Sequence, residues 1–252
     1  MIEYKVLDKG YVKLTATMVS EDEDKTCAQT LDEMVVESAR VSYGDGLKGE
    51  EKDKKLMKYL IEHEHGTPFE SPTFKFEVKC PIYVQRQWRT HRWGSFNEIS
   101  GRYTEKLAND YYVPEVFREK DAKNKQGSIN KKSEWNIYLP GEGQERISGP
   151  YTVKQVYEMS LQAQKNIYEI LINEGVAKEL ARGVLGTAFY TQFVWIVNAR
   201  SLMNFLILRC EEHAQWEIRQ YAYIIAKIFK EKMPWTYEIM EKQYGYINTT
   251  KS

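Results

Sequence analysis

The chain has 252 residues, and its 36 Lys plus Arg balance 36 Asp plus Glu, so the formal net charge is zero. That balance argues against bulk binding to nucleic acid or to an anionic membrane, because excess positive charge drives both, but it leaves room for a local basic pocket. A hydrophobic content of 42% and an aromatic content of 13% exclude a disordered or low-complexity chain and supply apolar surface for a core without disulfide staples.

At about 150 residues per domain, the length allows one to two domains. Cys27, Cys80 and Cys210 stand far apart with no CxxC pair, which fits a reducing compartment. No basic segment followed by an apolar stretch opens the chain, and no apolar run approaches the roughly 18 residues that span a bilayer. A cytoplasmic location and no membrane partner are the expectation.

Residues 2–7 and 11–19 read as strands joined near Gly10; in the second, Val12, Leu14 and Ala16 alternate with Lys13, Thr15 and Thr17. Residues 30–42 and 50–63 read as helices, the latter with Leu56, Leu60 and Ile61 opposite a lysine cluster. Residues 73–80 alternate as a half-buried strand, with Phe74, Phe76, Val78 and Cys80 on one face. Pro81 suits the first turn of a helix running to about Thr90. Residues 118–150 are polar and glycine-bearing with little periodicity, and read as a long loop or surface insertion. Its Gly141-Glu142-Gly143 lacks the strand before and the helix after that a dinucleotide fingerprint needs. Thr152 and Gln155 form a capping-box pattern opening a helix to about Asn173, which Gly175 ends. Residues 178–186 read as a shorter helix and 189–197 as a buried strand. Residues 201–210 and 214–232 read as helices, with Pro234 stopping the last. The fold class is α+β: an antiparallel sheet flanked by helices, with a helix-rich C-terminal half, in one compact domain over residues 1–252.

The densest chemistry lies in residues 85–103, QRQWRTHRWGSFNEISGRY, where Arg86, Arg89, Arg92 and Arg102 meet a single acid, Glu98. Guanidinium groups bind phosphate through paired donors in a fixed fork, and hydrogen bonds to charged groups contribute roughly 1.5–3 kcal/mol each. Ser95, Asn97 and Ser100 add donors and acceptors suited to a base or sugar. A rival reading takes Trp88, Arg89, Arg92, Trp93 and Phe96 as a charged stacking surface for single-stranded nucleic acid; zero net charge and the absence of a basic tail or RNP-type motif weigh against it.

This segment resembles the RHR-x7-S signature of the flavin-dependent thymidylate synthases, in the form Thr90-His91-Arg92, then residues 93–99, then Ser100. Further blocks follow in family order: Ala39-Arg40-Val41-Ser42, His65-Gly66-Thr67-Pro68-Phe69-Glu70, residues 198–205 (NARSLMNF), Leu208-Arg209, and residues 213–218 (HAQWEI). The resemblance spans most of the chain and leaves only residues 118–150 unmatched, as a surface insertion; a different flavoprotein or nucleotide-modifying enzyme on a related scaffold is the third reading.

The resemblance implies methylation of dUMP to dTMP, with methylenetetrahydrofolate as one-carbon donor, FAD-mediated hydride transfer and NADPH as reductant. It also implies a homotetramer with shared active sites. By the resemblance, Gln87, Thr90, Ser100, Arg102, Arg182 and Arg209 line the dUMP site, with Glu98 beside them and backbone contacts from Trp88, Arg89, Ile99 and Gly101. Arg209 matches the family's essential arginine and is the candidate catalytic residue. Ser42, Thr67, Thr90, His91, Arg92, Asn97, Glu98, Asn198, Arg200 and Asn204 would hold FAD, with His65 and His213 near the flavin and the folate site. Thr90 stands where the family motif has its first arginine. Either Thr90 serves with a weaker charge contact, or Arg89 reaches in from the neighbouring position; one residue of offset turns a helical side chain by about 100°, which favours the first.

Other nucleophiles and ligands are less persuasive. Cys210 beside Arg209 is the one tempting thiolate, but Leu206 and Leu208 mark it as a small core residue. Cys80 lies on the apolar face of its strand, and Ser100 has no evident base, so it is assigned to binding. His63-Glu64-His65 lacks the Cys or Asp partners of a tetrahedral site, so no metal is expected. Phe189, Tyr190, Phe193 and Trp195 read as core or subunit interface.

Overall fold

The computed structural model describes residues 2–18, 28–122, 128–132, 136–140, 146–245 and 247. Cys27, Val19, Gly127, Gly141 and Gly143 lie outside the described residues. The chain divides into two compact units: one of Met1–Lys79, Arg86–Glu98 and Gln192–Ser252, the other of Cys80–Gln85 and Ile99–Thr191.

The first unit is built on a five-stranded sheet. Strands β1 (Glu3–Val6), β2 (Gly10–Thr17), β3 (Thr73–Pro81), β4 (Ser95–Glu98) and β9 (Tyr190–Asn198) run in the spatial order β1-β2-β3-β9-β4. The β1–β2, β2–β3 and β4–β9 pairs are antiparallel. Alternation sets the inner face: Val12, Phe74, Phe76, Val78, Phe193, Trp195 and Val197 are buried. Across strands, Tyr11 Oη donates to Glu77 Oε1 at 2.7 Å and Lys13 pairs with Glu3 at 2.8 Å.

Helix α7 (Trp216–Lys232) buries Ile218, Tyr221, Ala222, Ile225, Ala226, Ile228 and Phe229, the face its periodicity marks. Tyr221 Oη donates to the carbonyl of Lys79 at 2.9 Å, and Phe229 packs on Phe74. Pro234 does end α7, but it also opens a further helix, α8 (Pro234–Tyr244), because proline suits the first helical position. The amides that α8 leaves unpaired are met from afar: Asp32 accepts from the N–H groups of Trp235 at 2.8 Å and Thr236 at 3.2 Å. Helix α1 (Leu31–Arg40) opens with a Thr30–Glu33 capping box, and α2 (Glu50–Glu62) buries Met57, Leu60 and Ile61.

The second unit centres on helix α4 (Val153–Asn173), whose Thr152–Gln155 capping box is formed as expected. Gly175, at φ +82°, ends it in the left-handed conformation. The shorter helix expected over residues 178–186 is α5 (Lys178–Ala181) followed by a 3-10 turn, Arg182–Val184. Two apolar clusters hold the unit. One joins Ala108, Tyr168 and Ala181; the other joins Leu161, Ala188 and Phe189.

The stretch expected as an irregular loop is instead strand-bearing. Strand β5 (Arg118–Lys120) pairs with β6 (Ser128–Lys132), and β7 (Asn136–Pro140) with β8 (Arg146–Thr152), both antiparallel. Both ladders carry register shifts, between Arg118 and Glu119 and between Ile137 and Leu139. A shifted register breaks the two-residue alternation by which strands are read from sequence.

Candidate functional site

Strand β3 leads into helix α3 (Ile82–Trp88), a turn over residues 89–94, and β4. The helix ends at Trp88, short of the expected Thr90; the amides of Thr90 and His91 then close tight turns on the carbonyls of Gln87 and Trp88, at 3.2 and 3.0 Å. Trp88 anchors the turn. Its side chain is fully buried among Phe193, Trp195, Phe205 and Tyr221, so it belongs to the core and offers no stacking surface to a nucleic acid. Only Trp93 of the two tryptophans is exposed, at 85%.

Arg209 is the last residue of helix α6 (Ala199–Arg209), and its guanidinium is fixed at two points. Nε donates to His91 Nε2 at 2.9 Å, and Nη2 donates to Thr90 Oγ1 at 3.1 Å. Thr90 Oγ1 in turn donates to the Gln87 carbonyl at 2.7 Å. The Gln87 side chain donates to Gln215 Oε1, and Gln215 Nε2 donates to Glu217 Oε2 at 2.8 Å. Burial, and then the charge of Arg209, depress the His91 pKa from 6.5 to about 4. The imidazole is therefore neutral near pH 7 and accepts through Nε2. Burial also lowers the Arg209 pKa.

Arg89 faces elsewhere, paired with Glu98 at 3.5 Å and lying over the Phe96 ring at 5.6 Å. Thr90, and not Arg89, is the residue that bonds Arg209. Arg92 and Asn97 are exposed on the same turn and on β4.

A second group lines a cavity of about 680 Å³ within the same unit. Ser42, His65, Thr67 and Arg200, all expected at the flavin, meet there across more than a hundred residues of sequence. Glu64, at φ +57°, turns the chain out of α2 so that His65, Gly66 and Thr67 face the cavity. Arg200 pairs with Glu70 and passes close over Gly66. Arg40 also borders the cavity, but its charge is committed: Nη2 pairs with Asp53 at 2.6 Å and Nη1 donates to the Gly46 carbonyl at 2.8 Å. Sequence reasoning passed over Arg40, Glu70, Tyr43 and Tyr59 as site residues. Their signal was weak, because each is ordinary in its own helix or turn.

The remaining expected flavin residues sit outside that cavity wall. Asn198 caps α6, its Oδ1 accepting from the Ser201 amide at 2.9 Å. Asn204 and His213 are exposed, and His213 N donates to Glu211 Oε2 at 2.9 Å.

The cavity has the size and the lining that a large nucleotide cofactor would need. Its volume lies in the range of about 300–1,000 Å³ typical of small-molecule sites. Arg200, Thr67 and Ser42 suit phosphate and ribose oxygens, while Tyr43, Tyr59 and Pro68 offer flat apolar wall. At Gly66 a Cβ would meet Arg200 Nε at 2.5 Å, so glycine is what lets this guanidinium lie over the loop at the cavity wall.

In the second unit, Ser100 Oγ accepts from the Arg102 amide at 3.3 Å, and Arg102 pairs with Glu179 at 3.6 Å. Gly101 is buried. A Cβ there would meet Leu107 Cδ1 at 2.6 Å and Arg182 Cδ at 3.1 Å, so glycine is what lets the aliphatic stem of Arg182 pack against this turn. Ile99 is half-buried.

Cys210 is buried and its thiol is pushed up to about 12, the opposite of what a nucleophile needs. Cys80 is buried on its strand, and Phe189, Tyr190, Phe193 and Trp195 are core. His63 stacks on Tyr59, and among the described residues no group of three His, Cys, Asp or Glu side chains is placed to hold a metal. No helix among the described residues is long and apolar enough to cross a membrane.

Residues 25–235 match the family model described as thymidylate synthase complementing protein. The chain is 48% identical over 241 residues to the flavin-dependent thymidylate synthase of Thermosipho africanus, covering 96% of this chain and 95% of that protein. It is 40% identical over 240 residues to a flavin-dependent thymidylate synthase of Thermus thermophilus, covering 94% and 77%. Among solved structures it resembles the UMP/dUMP methylase PolB of Streptomyces cacaoi bound with 5-Br UMP, with a TM-score of 0.73 and 26% identity over 97% of this chain and 98% of that one. With the RHR-type turn, the Arg209 cluster and the cavity all on its scaffold, the chain belongs to the thymidylate synthase complementing protein family, that of the flavin-dependent thymidylate synthases.

Proposed function

We propose that the chain methylates dUMP at the 5-position of uracil to give dTMP, with methylenetetrahydrofolate as the one-carbon donor, FAD as cofactor and NADPH as reductant. The names of its relatives support this reading, and the observation that carries it is the Arg209 cluster. A cation held rigidly by two neutral acceptors suits an anionic nucleotide. Beside a uracil carbonyl, it stabilises the charge that develops as the ring is polarised. FAD supplies the redox chemistry when bound, in the cavity bordered by Ser42, His65, Thr67 and Arg200. His91, Arg92, Asn97, Glu98, Asn198, Asn204 and His213 are proposed as its further contacts.

Gln87, Ser100, Arg102, Arg182 and Arg209 are proposed as dUMP contacts, with Thr90 beside Arg209 and with Trp88, Arg89, Ile99 and Gly101 contributing backbone groups. Ser100 is assigned to binding rather than attack, since its Oγ accepts from the Arg102 amide and no hydrogen bond joins it to a base among the described residues. The reading includes one synthase domain per chain and four chains sharing active sites.

Tritium release from dUMP labelled at the 5-position tests the reaction. It should require flavin-loaded protein, methylenetetrahydrofolate and NADPH together. Ser100→Ala should retain part of the activity, and Arg209→Ala should lose about 10²–10³-fold or more. Full activity of the arginine variant would overturn the assignment, and release from UMP in preference to dUMP would change the substrate.

A further inference from the structure

The Nε and Nη2 protons of an arginine point along one edge of its guanidinium, and the Nη1 and Nη2 protons along the other. In Arg209 the first edge is fully occupied: His91 Nε2 takes Nε–H at 2.9 Å and Thr90 Oγ1 takes Nη2–H at 3.1 Å. Among the described residues, no other group bonds this guanidinium. We infer that Thr90 and His91 are positioning residues that hold Arg209 by its inner edge and so turn the Nη1/Nη2 edge to the substrate. The inference rests on the reading that Arg209 meets the nucleotide.

The direction of each bond supports this. Thr90 Oγ1 has one proton, and it is spent on the Gln87 carbonyl at 2.7 Å, so toward Arg209 the hydroxyl can only accept. His91 packs its ring on Phe205 at 4.9 Å and is neutral, so its Nε2 can accept as well. A protonated histidine in this position would repel the guanidinium. Neither acceptor carries charge, so the full positive charge of Arg209 remains for a ligand. A carboxylate in either place would neutralise it. The departure from the family motif thus has a local use: an arginine at position 90 could not accept from Arg209, whereas a threonine can.

Calorimetric titration of flavin-loaded enzyme with dUMP tests the inference, with kcat and KM read on the same samples. Thr90→Val keeps the shape of the side chain and removes the acceptor. It should weaken dUMP binding by about tenfold or more, with an unchanged melting temperature. Thr90→Ser restores the hydroxyl and should return affinity to within about twofold. The inference is overturned if Thr90→Val binds dUMP as the parent does, or if Thr90→Ser and Thr90→Val are impaired alike. Arg209→Ala separates the two levels. If it binds dUMP normally, the nucleotide role of Arg209 itself fails; if it loses dUMP while Thr90→Val does not, only the positioning role fails.

Discussion

A side chain at Gly66 would collide with Arg200: a Cβ built there lies 2.5 Å from Nε and 2.8 Å from Cζ. The backbone of Gly66 is ordinary, with φ −77° and ψ −25°, so glycine is required by this close approach and not by conformation. Arg200 is exposed and can swing aside. Gly66→Ala should therefore leave the melting temperature nearly unchanged while displacing Arg200 from the cavity. Flavin retention after dialysis, read from the visible spectrum, should fall by about tenfold, the worth of one hydrogen bond to a charged group. Undiminished retention would remove Arg200 from the flavin site.

The ion pair beneath the cavity has a structural role. Arg40 and Asp53 are 8% and 3% exposed at their side chains, and Asp53 also accepts from the Lys48 amide at 3.2 Å. Removing one partner strands the other charge in a buried place. Asp53→Ala should cost about 3–5 kcal/mol in denaturant unfolding. A loss below about 1 kcal/mol would mean that the pair behaves as a solvated one.

Acid should weaken the fold through His91. Its pKa is lowered from 6.5 to about 4, so between those values the unfolded chain binds the proton and the folded one does not. The stability it contributes is present above pH 6.5 and is lost as pH falls toward 4. His91→Asn keeps a polar group without the titration, and it should flatten the fall in melting temperature across that window. An identical slope in the variant would place the acid sensitivity elsewhere.

Asn198 starts the helix that carries Arg200, Asn204 and Arg209. Asn198→Ala should cost about 1 kcal/mol through the lost cap, and Asn198→Asp should recover most of it. If the aspartate variant regains stability but not flavin, Asn198 serves as both cap and cofactor contact. If the alanine variant is as stable as the parent, the cap is energetically idle.

Cys210 separates two chemistries. With its thiol pushed up to about 12 by burial, the thiolate is scarce at neutral pH. Cys210→Ala should keep tritium release within a few-fold of the parent, and the native protein should resist alkylation at this residue. A folded but inactive alanine variant would restore Cys210 as the nucleophile.

Local patterns carried much of the fold. Alternation along β3, the capping box at Thr152, the left-handed stop at Gly175 and the helical period of α7 are all written within a few residues of where they act. The strands within 118–150 were hidden because shifted registers and polar composition erase the two-residue period. Helix α8 is hard to read locally because its opening amides are met by Asp32, far away in the chain.

The same division holds for the site. Residue types are legible along the chain: the arginine-rich turn, the HGTPFE loop, the NARSLMNF block, and a threonine where the motif has arginine. Their assignments belong to the folded molecule. Folding sends Trp88 into the core, commits Arg40 to Asp53, turns Arg89 toward Glu98, and brings Thr90 and His91 onto Arg209. The reason is geometric. Type and order are properties of the chain, but a hydrogen bond between residues 91 and 209 exists only once the sheet has placed the turn before β4 beside the end of α6.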